Sequence, residues 1–450
     1  MFYLNKDTIL DTALLQKMIN RFQLQVEPKL TKYKNYYDGQ QDILQKKYSD
    51  ETKPCNKTVI NYCKNIVDIY CGYLAAPGHI SYRSEQDIEE IMNVLKYNDY
   101  QAEDADFLLD ALKHGKACEL MYIDGDSKTR FRLIDPTTCF GVYDDSLTGD
   151  LLYFIRMYKV NEWDDNDKYE VAVYSDTSIK TYSMVGMGGT LTFKEENPHF
   201  FSQCPANIFY LPDEKSIFDC IIPAQDTYNQ LLSSEVDDYQ AFCDAYLTLE
   251  GMDADSDDIK SMKENRVLIL PTGATAAWLT KATNDAQIEN ILKRLHDSIY
   301  RIAACPDFSS ESFIGGVSSG IAIQYRLTGC ETRATKIEAA MKKALQRRIE
   351  IICGIASLKL GEEVFRDIEI SFKRNIPEDI TSVISTINGL KGTVSDATLL
   401  SQIPFITDVN AELEAINKQK EENLALYGFG GSDDADFGED DGDTDDTDTV

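Results

Sequence analysis

Apolar residues recur at intervals of three and four through both ends of the chain, and in short alternating runs through its middle. Residues 8 to 37 place Leu14, Leu15, Met18, Ile19 and Phe22 on one side of a helix, closed by the turn signal Tyr36-Tyr37-Asp38-Gly39. Residues 56 to 75 predict a second helix that stops at Pro77-Gly78, and residues 85 to 114 a mainly helical stretch closing at Gly115. From Ala117 to Tyr210 the texture changes. Short β-rich runs follow one another: Cys118 to Ile123, Arg130 to Ile134, Leu151 to Tyr158, Glu170 to Tyr174, Ile179 to Ser183 and Thr190 to Phe193. Each is bounded by Gly, Asp or Asn, the pattern of a meandering antiparallel sheet. Helix returns over 217 to 249. Residues 250 to 283 carry an acidic turn and short strands at Arg266 to Leu270 and Ala276 to Leu279. A last strand reads over Asp367 to Lys373, and residues 377 to 424 read as helices punctuated by Gly389, Gly392 and Pro404. The fold class is therefore α+β.

The most informative pattern lies between residues 284 and 356. One helical run, Asn284 to Ala304, carries Ile288, Ile291, Leu292, Leu295, Ile299 and Ile302 as a single stripe. It stops at Cys305-Pro306, because Pro306 lacks an amide hydrogen and cannot continue a helix. A second run begins at Ile321 and repeats the pattern with Ile337, Met341, Leu345, Ile349 and Ile352. The connection is rich in Ser and Gly, yet contains Phe308, Phe313, Ile314 and Val317. A loop with glycine freedom and bulky apolar residues reads as a moving part that touches something.

Charge changes the picture. The chain has 45 Lys and Arg against 76 Asp and Glu, a net of −31. Ser432 to Val450 holds ten acids and no base, so this tail has almost nothing to bury and is expected to be disordered. Without those ten acids the balance is 45 against 66, or −21, so the remainder is acidic too. Tight nucleic-acid binding is disfavoured, because phosphate neutralisation needs a surplus of bases. The one basic concentration is the run from Ile321 to Cys353. It has seven bases (Arg326, Arg333, Lys336, Lys342, Lys343, Arg347, Arg348) against Glu331, Glu338 and Glu350. Eleven scattered cysteines without any Cys-x-x-Cys pair fit free thiols in a reducing cytosol. The N-terminus lacks a signal-peptide shape, and no apolar run approaches the ~20 residues that span a bilayer.

Tyr36 to Gly39, Asn61 to Gly78, Ser319 to Ala322, Ile368 to Ile376 and Ser395 to Ile406, in order along roughly residues 8 to 425, resemble segments of the portal proteins of tailed bacteriophages of the siphophage type. Tyr36-Tyr37-Asp38-Gly39 looks like that family's early Tyr-Tyr-x-Gly element. Asn61 to Gly78 is similar to its next helix, and Ser319-Gly320-Ile321-Ala322 to the start of the helix after its channel loop. Ile368 to Ile376 resembles the strand that rejoins the wing. Ser395 to Leu400, followed by Ile403-Pro404-Phe405-Ile406, resembles the crown segment. At Leu211-Pro212-Asp213-Glu214 the sequence departs from the more polar turn of many relatives.

The resemblance implies a wing (1–216, rejoined by 357–380), stem helices (217–247 and 284–304), a clip (248–283), a channel loop (305–319), a long kinked helix (320–356), a crown (381–428) and the acidic tail (429–450). It implies a non-enzymatic ring of twelve copies at one capsid vertex of the virion, assembled in the bacterial cytoplasm. Double-stranded DNA passes through the ring during packaging and ejection. Implied partners are the terminase large subunit, the major capsid or scaffolding protein and a head-completion adaptor, with no membrane and no cofactor. The channel loop would comprise Phe308, Ser309, Ser310, Glu311, Ser312, Phe313, Ile314, Gly315, Gly316, Val317, Ser318 and Ser319, lining the narrowest part of the bore. Asp253, Asp255, Asp257, Asp258, Lys260 and Lys263 of the clip would meet terminase or connector. The seven bases of the long helix either face the bore for weak phosphate contacts or form an ordinary polar helix face.

Other chemistry is weaker. Asp253 to Glu264 has the acidic spacing of a calcium loop, but Asp258 stands where the sharp turn needs Gly, so an acidic solvated turn is expected. Asp124-Gly125-Asp126 reads as a tight hairpin turn. The alternative function is a metal-dependent enzyme on an α+β scaffold, using Asp124 and Asp126 or the cluster of Asp253, Asp255 and Asp257. The four histidines are far apart in sequence, and no phosphate-binding Walker loop or Gly-x-Ser-x-Gly motif appears.

Overall fold

A computed structural model describes residues 1–49, 53–161, 168–186, 188–242, 246–251, 255, 260, 270, 272–279, 285–310, 320–355, 364–375, 385, 387–400, 403, 406 and 409–426. The chain divides into two compact units, Met1–Ile376 and Pro377–Val450.

The first unit opens with strand β1 (Phe2–Leu4) and helix α1 (Thr12–Arg21). The Asp11 carboxylate accepts from the Leu14 amide at 2.7 Å and so starts α1. Leu15, Met18 and Ile19 bury its inner stripe. The single helix expected over 8–37 is broken by a π-helical turn (Phe22–Val26) before α2 (Glu27–Tyr37). Pro28 sits in the first turn of α2, where it has no amide to continue the ladder, so the register shifts just before it. Helix α3 (Tyr62–Leu74) starts six residues later than its apolar pattern predicts, with Asn61 as its cap.

The reason lies in α6 (Ile222–Phe242), which claims residues 56–62 as an extended strap. The amides of Asn56, Thr58, Ile60 and Tyr62 donate to the side chains of Asp237, Ser233, Asn229 and Gln225, at 2.5, 3.0, 3.0 and 3.2 Å. Two residues of extended chain advance about 6.7 Å. Four residues of helix advance about 6.0 Å. Alternate strap amides therefore meet every fourth helix residue. The four helix side chains are buried.

Strand β2 (Ile80–Arg83) and helices α4 (Glu89–Tyr97) and α5 (Tyr100–His114) follow. Asp99 breaks the helical stretch with φ of 50°, and Gly115 ends it with φ of 83°. A Cβ on Gly115 would lie 2.6 Å from the backbone of Lys215, so only glycine fits this crossing. The β region forms two sheets rather than one meander. Strands β3 (Lys116–Ile123), β4 (Thr129–Ile134) and β10 (Ala206–Tyr210) make one, in the order β10-β3-β4. Strands β5 (Cys139–Asp144), β6 (Leu151–Lys159), β7 (Lys168–Tyr174), β8 (Ser178–Val185) and β9 (Thr192–Pro198) make the other. They run as an antiparallel meander with β1 parallel to β5 at its edge. Helix α5 packs along β3, which is buried over its first six residues.

Helix α6 ends at Phe242, and Tyr246–Glu250 is strand β11, paired with β12 (Thr275–Leu279). This corrects the helix expected to run on to 249. The strand expected at 266–270 falls almost wholly outside the described residues. Helices α7 (Asp285–Ile302) and α8 (Gly320–Cys353) follow. Strand β13 (Glu369–Phe372) then returns the chain to pair antiparallel with β2, Ile370 opposite Tyr82. The second unit contains helices α9 (Asp396–Leu400) and α10 (Val409–Leu426).

Candidate functional site: the loop root and the basic helix

The loop between α7 and α8 begins at a tightly held root. Helix α7 ends at Ile302, and Ala304 adopts φ of 52° to turn the chain away. A helix end leaves carbonyls without partners. Here the Tyr70 hydroxyl of α3 lies 3.1 and 2.9 Å from the carbonyls of Ala303 and Ala304. Arg333 of α8 donates to Ala303 O at 2.8 Å and to Ile217 O at 2.7 Å. Its positive charge also complements the negative end of the α7 dipole. Beyond Pro306, the Asp307 carboxylate accepts from the Ser309 amide and hydroxyl at 3.0 and 2.6 Å. His296 Nε2 lies 3.7 Å from its other oxygen. Phe308 and Ser309 are exposed and Ser310 is half-buried. Glu311, Ser312, Phe313, Ile314, Gly315, Gly316, Val317, Ser318 and Ser319 lie outside the described residues.

The two apolar stripes have different fates. On α8, Ile337, Met341, Leu345, Ile349 and Ile352 are all buried. On α7, Ile299 is buried but Ile291 and Ile302 are 38% and 50% exposed. The α7 stripe is therefore only partly covered within one chain.

The seven bases of α8 divide. Arg348 is fully buried and leaves the DNA-facing set. Its Nε and Nη2 reach Glu119 at 3.0 and 2.9 Å, its Nη1 pairs with Asp104, and its guanidinium lies 4.6 Å from the centre of the Phe131 ring. Burial pushes this guanidinium down, but Glu119 and Asp104 outweigh that and hold it well above its ordinary value. The reason is helical phase: residue 348 stands three after Leu345 and four before Ile352, on the buried stripe. Arg333 serves the loop root. Lys342 pairs with Glu338 at 2.8 Å, and Arg347 with Glu350 at 2.9 Å and with Gln203. Arg326, Lys336 and Lys343 are exposed.

Arg374, beyond β13, has no signal in the helical pattern, yet it grips α8. It bonds Glu331 at 2.8 to 3.1 Å and Glu338 at 2.7 Å. The hydrogen bond from Arg374 holds the Glu331 carboxyl below the usual range. Tyr73 of α3 donates to the same carboxylate at 2.5 Å.

Among the described residues, the acidic candidates do not gather. Asp124 builds the β3–β4 turn: its Oδ1 accepts from the amides of Asp126 and Lys128 at 3.0 and 2.9 Å. Its Oδ2 lies 3.2 Å from the Tyr97 hydroxyl and 3.4 Å from Arg130 Nε. Of the clip residues, Asp255 and Lys260 are exposed, while Asp253, Asp257, Asp258 and Lys263 lie outside the described residues. Among the described residues, no three His, Cys, Asp or Glu side chains are grouped to hold a metal ion. The ten described cysteines are all free. No described helix is long and apolar enough to cross a membrane.

A family model described as phage portal protein, SPP1 Gp6-like, matches residues 16–425. The chain belongs to this portal family. That match spans both helices of the loop root, every described strand but β1, and the second unit as far as residue 425. It identifies a portal protein of tailed bacteriophages, a component of the capsid vertex with a role in DNA packaging. No curated protein matches the chain.

Proposed function

We propose that copies of this portal protein close into a non-enzymatic ring through which double-stranded DNA enters and leaves the capsid. The family match over residues 16–425 carries this reading. In it, α6 and α7 form the stem and residues 305–319 the constriction. Residues 248–283 form the clip that meets terminase and the head-completion adaptor, and 381–428 the crown. The incompletely covered α7 stripe supports it, since exposed Ile291 and Ile302 leave apolar surface that another copy can cover. Charge supports it as well. Double-stranded DNA carries about one charge per 1.7 Å of axis. An acidic wall repels it over roughly 8 Å at physiological salt, so DNA passes without being held. The bases of α8 that serve the protein's own core and loop root are not needed for phosphate contacts.

The enzyme alternative gains no support. The Asp124 carboxylate is used by its turn, and the Asp253 cluster is described only at Asp255. Electron microscopy and mass measurement of the purified chain test the proposal: rings of many 50.8 kDa subunits are expected. A chain that stays monomeric at every concentration, also when coexpressed with shell proteins, refutes it.

A further inference from the structure

His114 and Lys116 flank the Gly115 crossing, where α5 ends and β3 begins. Both are buried, at 3% and 7% exposed. His114 Nδ1 lies 3.1 Å from the carbonyl oxygen of Asp110 and 3.7 Å from its carboxylate. Both neighbours are acceptors, so Nδ1 carries the ring proton. Burial pushes the imidazole down to about 4, which leaves it neutral above that pH. Nε2 is then a lone pair that can only accept. It is buried and has no hydrogen-bond partner among the described residues. Lys116 has the opposite need. Its Nζ donates to Cys139 O at 3.0 Å and lies 5.4 Å from the centre of the Phe22 ring. Among the described residues it has no carboxylate partner, although an ammonium has three donors and a buried charge calls for a counter-charge.

The two side chains line one cavity of about 200 Å³. Phe2, Leu30 and Phe140 give it apolar walls, and the exposed residues Lys29 and Glu214 belong to its lining too. At about 30 Å³ per water, it has room for a phosphate group and a small substituent. We propose that this cavity binds a protonated phosphate group, either inorganic phosphate or a small phosphate monoester. Its unprotonated oxygens accept from Lys116 Nζ, and its hydroxyl donates to His114 Nε2. Water satisfies the imidazole but brings no charge to Lys116. An anion without a hydroxyl answers Lys116 but sets its own lone pairs against that of Nε2. A hydrogen phosphate meets both needs. Bound there, it ties β1 and α2, through Phe2 and Leu30, to β3 and β5.

The test is isothermal titration calorimetry of the full chain at about pH 6 and constant ionic strength, with inorganic phosphate, methyl phosphate and sulfate. At that pH both phosphates keep a hydroxyl on a large fraction of molecules, and sulfate has none. At least one phosphate should bind about ten-fold or more tighter than sulfate, which leaves Nε2 without a donor. Tighter binding of methyl phosphate than of phosphate assigns a monoester, and the reverse assigns the free ion. At about 100 times Kd, Tm of the first unit should rise by about 3 °C. Lys116→Met should weaken phosphate binding about ten-fold or more. Two substitutions at exposed positions leave the buried pair alone. Lys29→Ala should weaken binding about two-fold, and Glu214→Gln, which removes the one carboxylate of the lining, should tighten it about two-fold. No heat with either phosphate, or sulfate binding as tightly as phosphate, overturns the proposal. So does an affinity that none of the three substitutions changes, since the anion then sits elsewhere.

Discussion

Replacing Arg348 with methionine separates a core residue from a DNA-facing one. The guanidinium is fully buried between Asp104 and Glu119, which are themselves 1% and 0% exposed. Tyr82 and Asn207 also bond these carboxylates, at 2.7 and 3.1 Å, but neither brings a positive charge. Removing one partner of such a buried network costs about 3–5 kcal/mol, because the charges left behind stay desolvated. The first unit has 376 residues. At about 2.1 cal/mol/K per residue, its unfolding entropy is about 0.8 kcal/mol/K, so Tm should fall by about 4–6 °C. Adding Asp104→Asn and Glu119→Gln should recover most of the deficit, since no buried charge remains. If R348M unfolds within about 1 °C of the parent, the burial argument is wrong.

Three further substitutions probe the frame around the site. Asp237→Asn removes the anchor of the strap: burial pushes that carboxyl up, but Lys46 and the Asn56 amide outweigh it and hold the value at about 2. A depressed carboxyl stabilises above its ordinary value near 3.8, and that contribution is lost as pH falls toward 2. The variant should lose about 1.5–3 kcal/mol at neutral pH and show a flatter acid limb in urea titrations; an unchanged acid limb contradicts the strap's role. Arg333→Ala should accelerate amide exchange at Cys305 at least ten-fold, because each lost charged bond is worth about 1.5–3 kcal/mol. Unaltered exchange there would show that Tyr70 alone holds the root. Gly115→Ala forces a Cβ to 2.6 Å from Lys215 at positive φ and should cost about 3 kcal/mol or more, read as a drop in the urea midpoint.

The long amphipathic elements were legible because their burial repeats with the helix. Helices α7 and α8, the hairpin turn at Asp124 and the strand near 369–372 all appear where their patterns place them. Strand β5 was hidden for a physical reason: Cys139 to Val142 is buried on both faces, so no alternation marks it. Strand β1 has three residues and exists through its parallel pairing with β5. The strap at 56–61 carries helix-like apolar residues, but the side chains of α6 outcompete the helix for its amides. No local pattern contains that partner, which lies about 170 residues away. Arg348 was legible in principle, since its phase on α8 is that of the buried stripe, and only its charge argued otherwise.

These contacts also locate where α8 can bend. From Glu331 onward the helix is tied to the first unit at several points: Arg374 holds Glu331 and Glu338, Arg333 holds the end of α7 and the segment leading into α6 at Ile217, and Arg348 is locked in the core. In the described part of the helix before Glu331, Tyr325 is 79% exposed and Leu327 and Cys330 are buried. Gly329 lies there, with nothing within 4 Å of where its Cβ would be. Glycine in a helix interior costs about 1 kcal/mol relative to alanine. Gly329 therefore weakens the helix locally. Movement that reached Arg333 would have to stretch charged hydrogen bonds of 2.8 and 2.7 Å, which ties the far half of α8 to both α7 and the segment leading into α6.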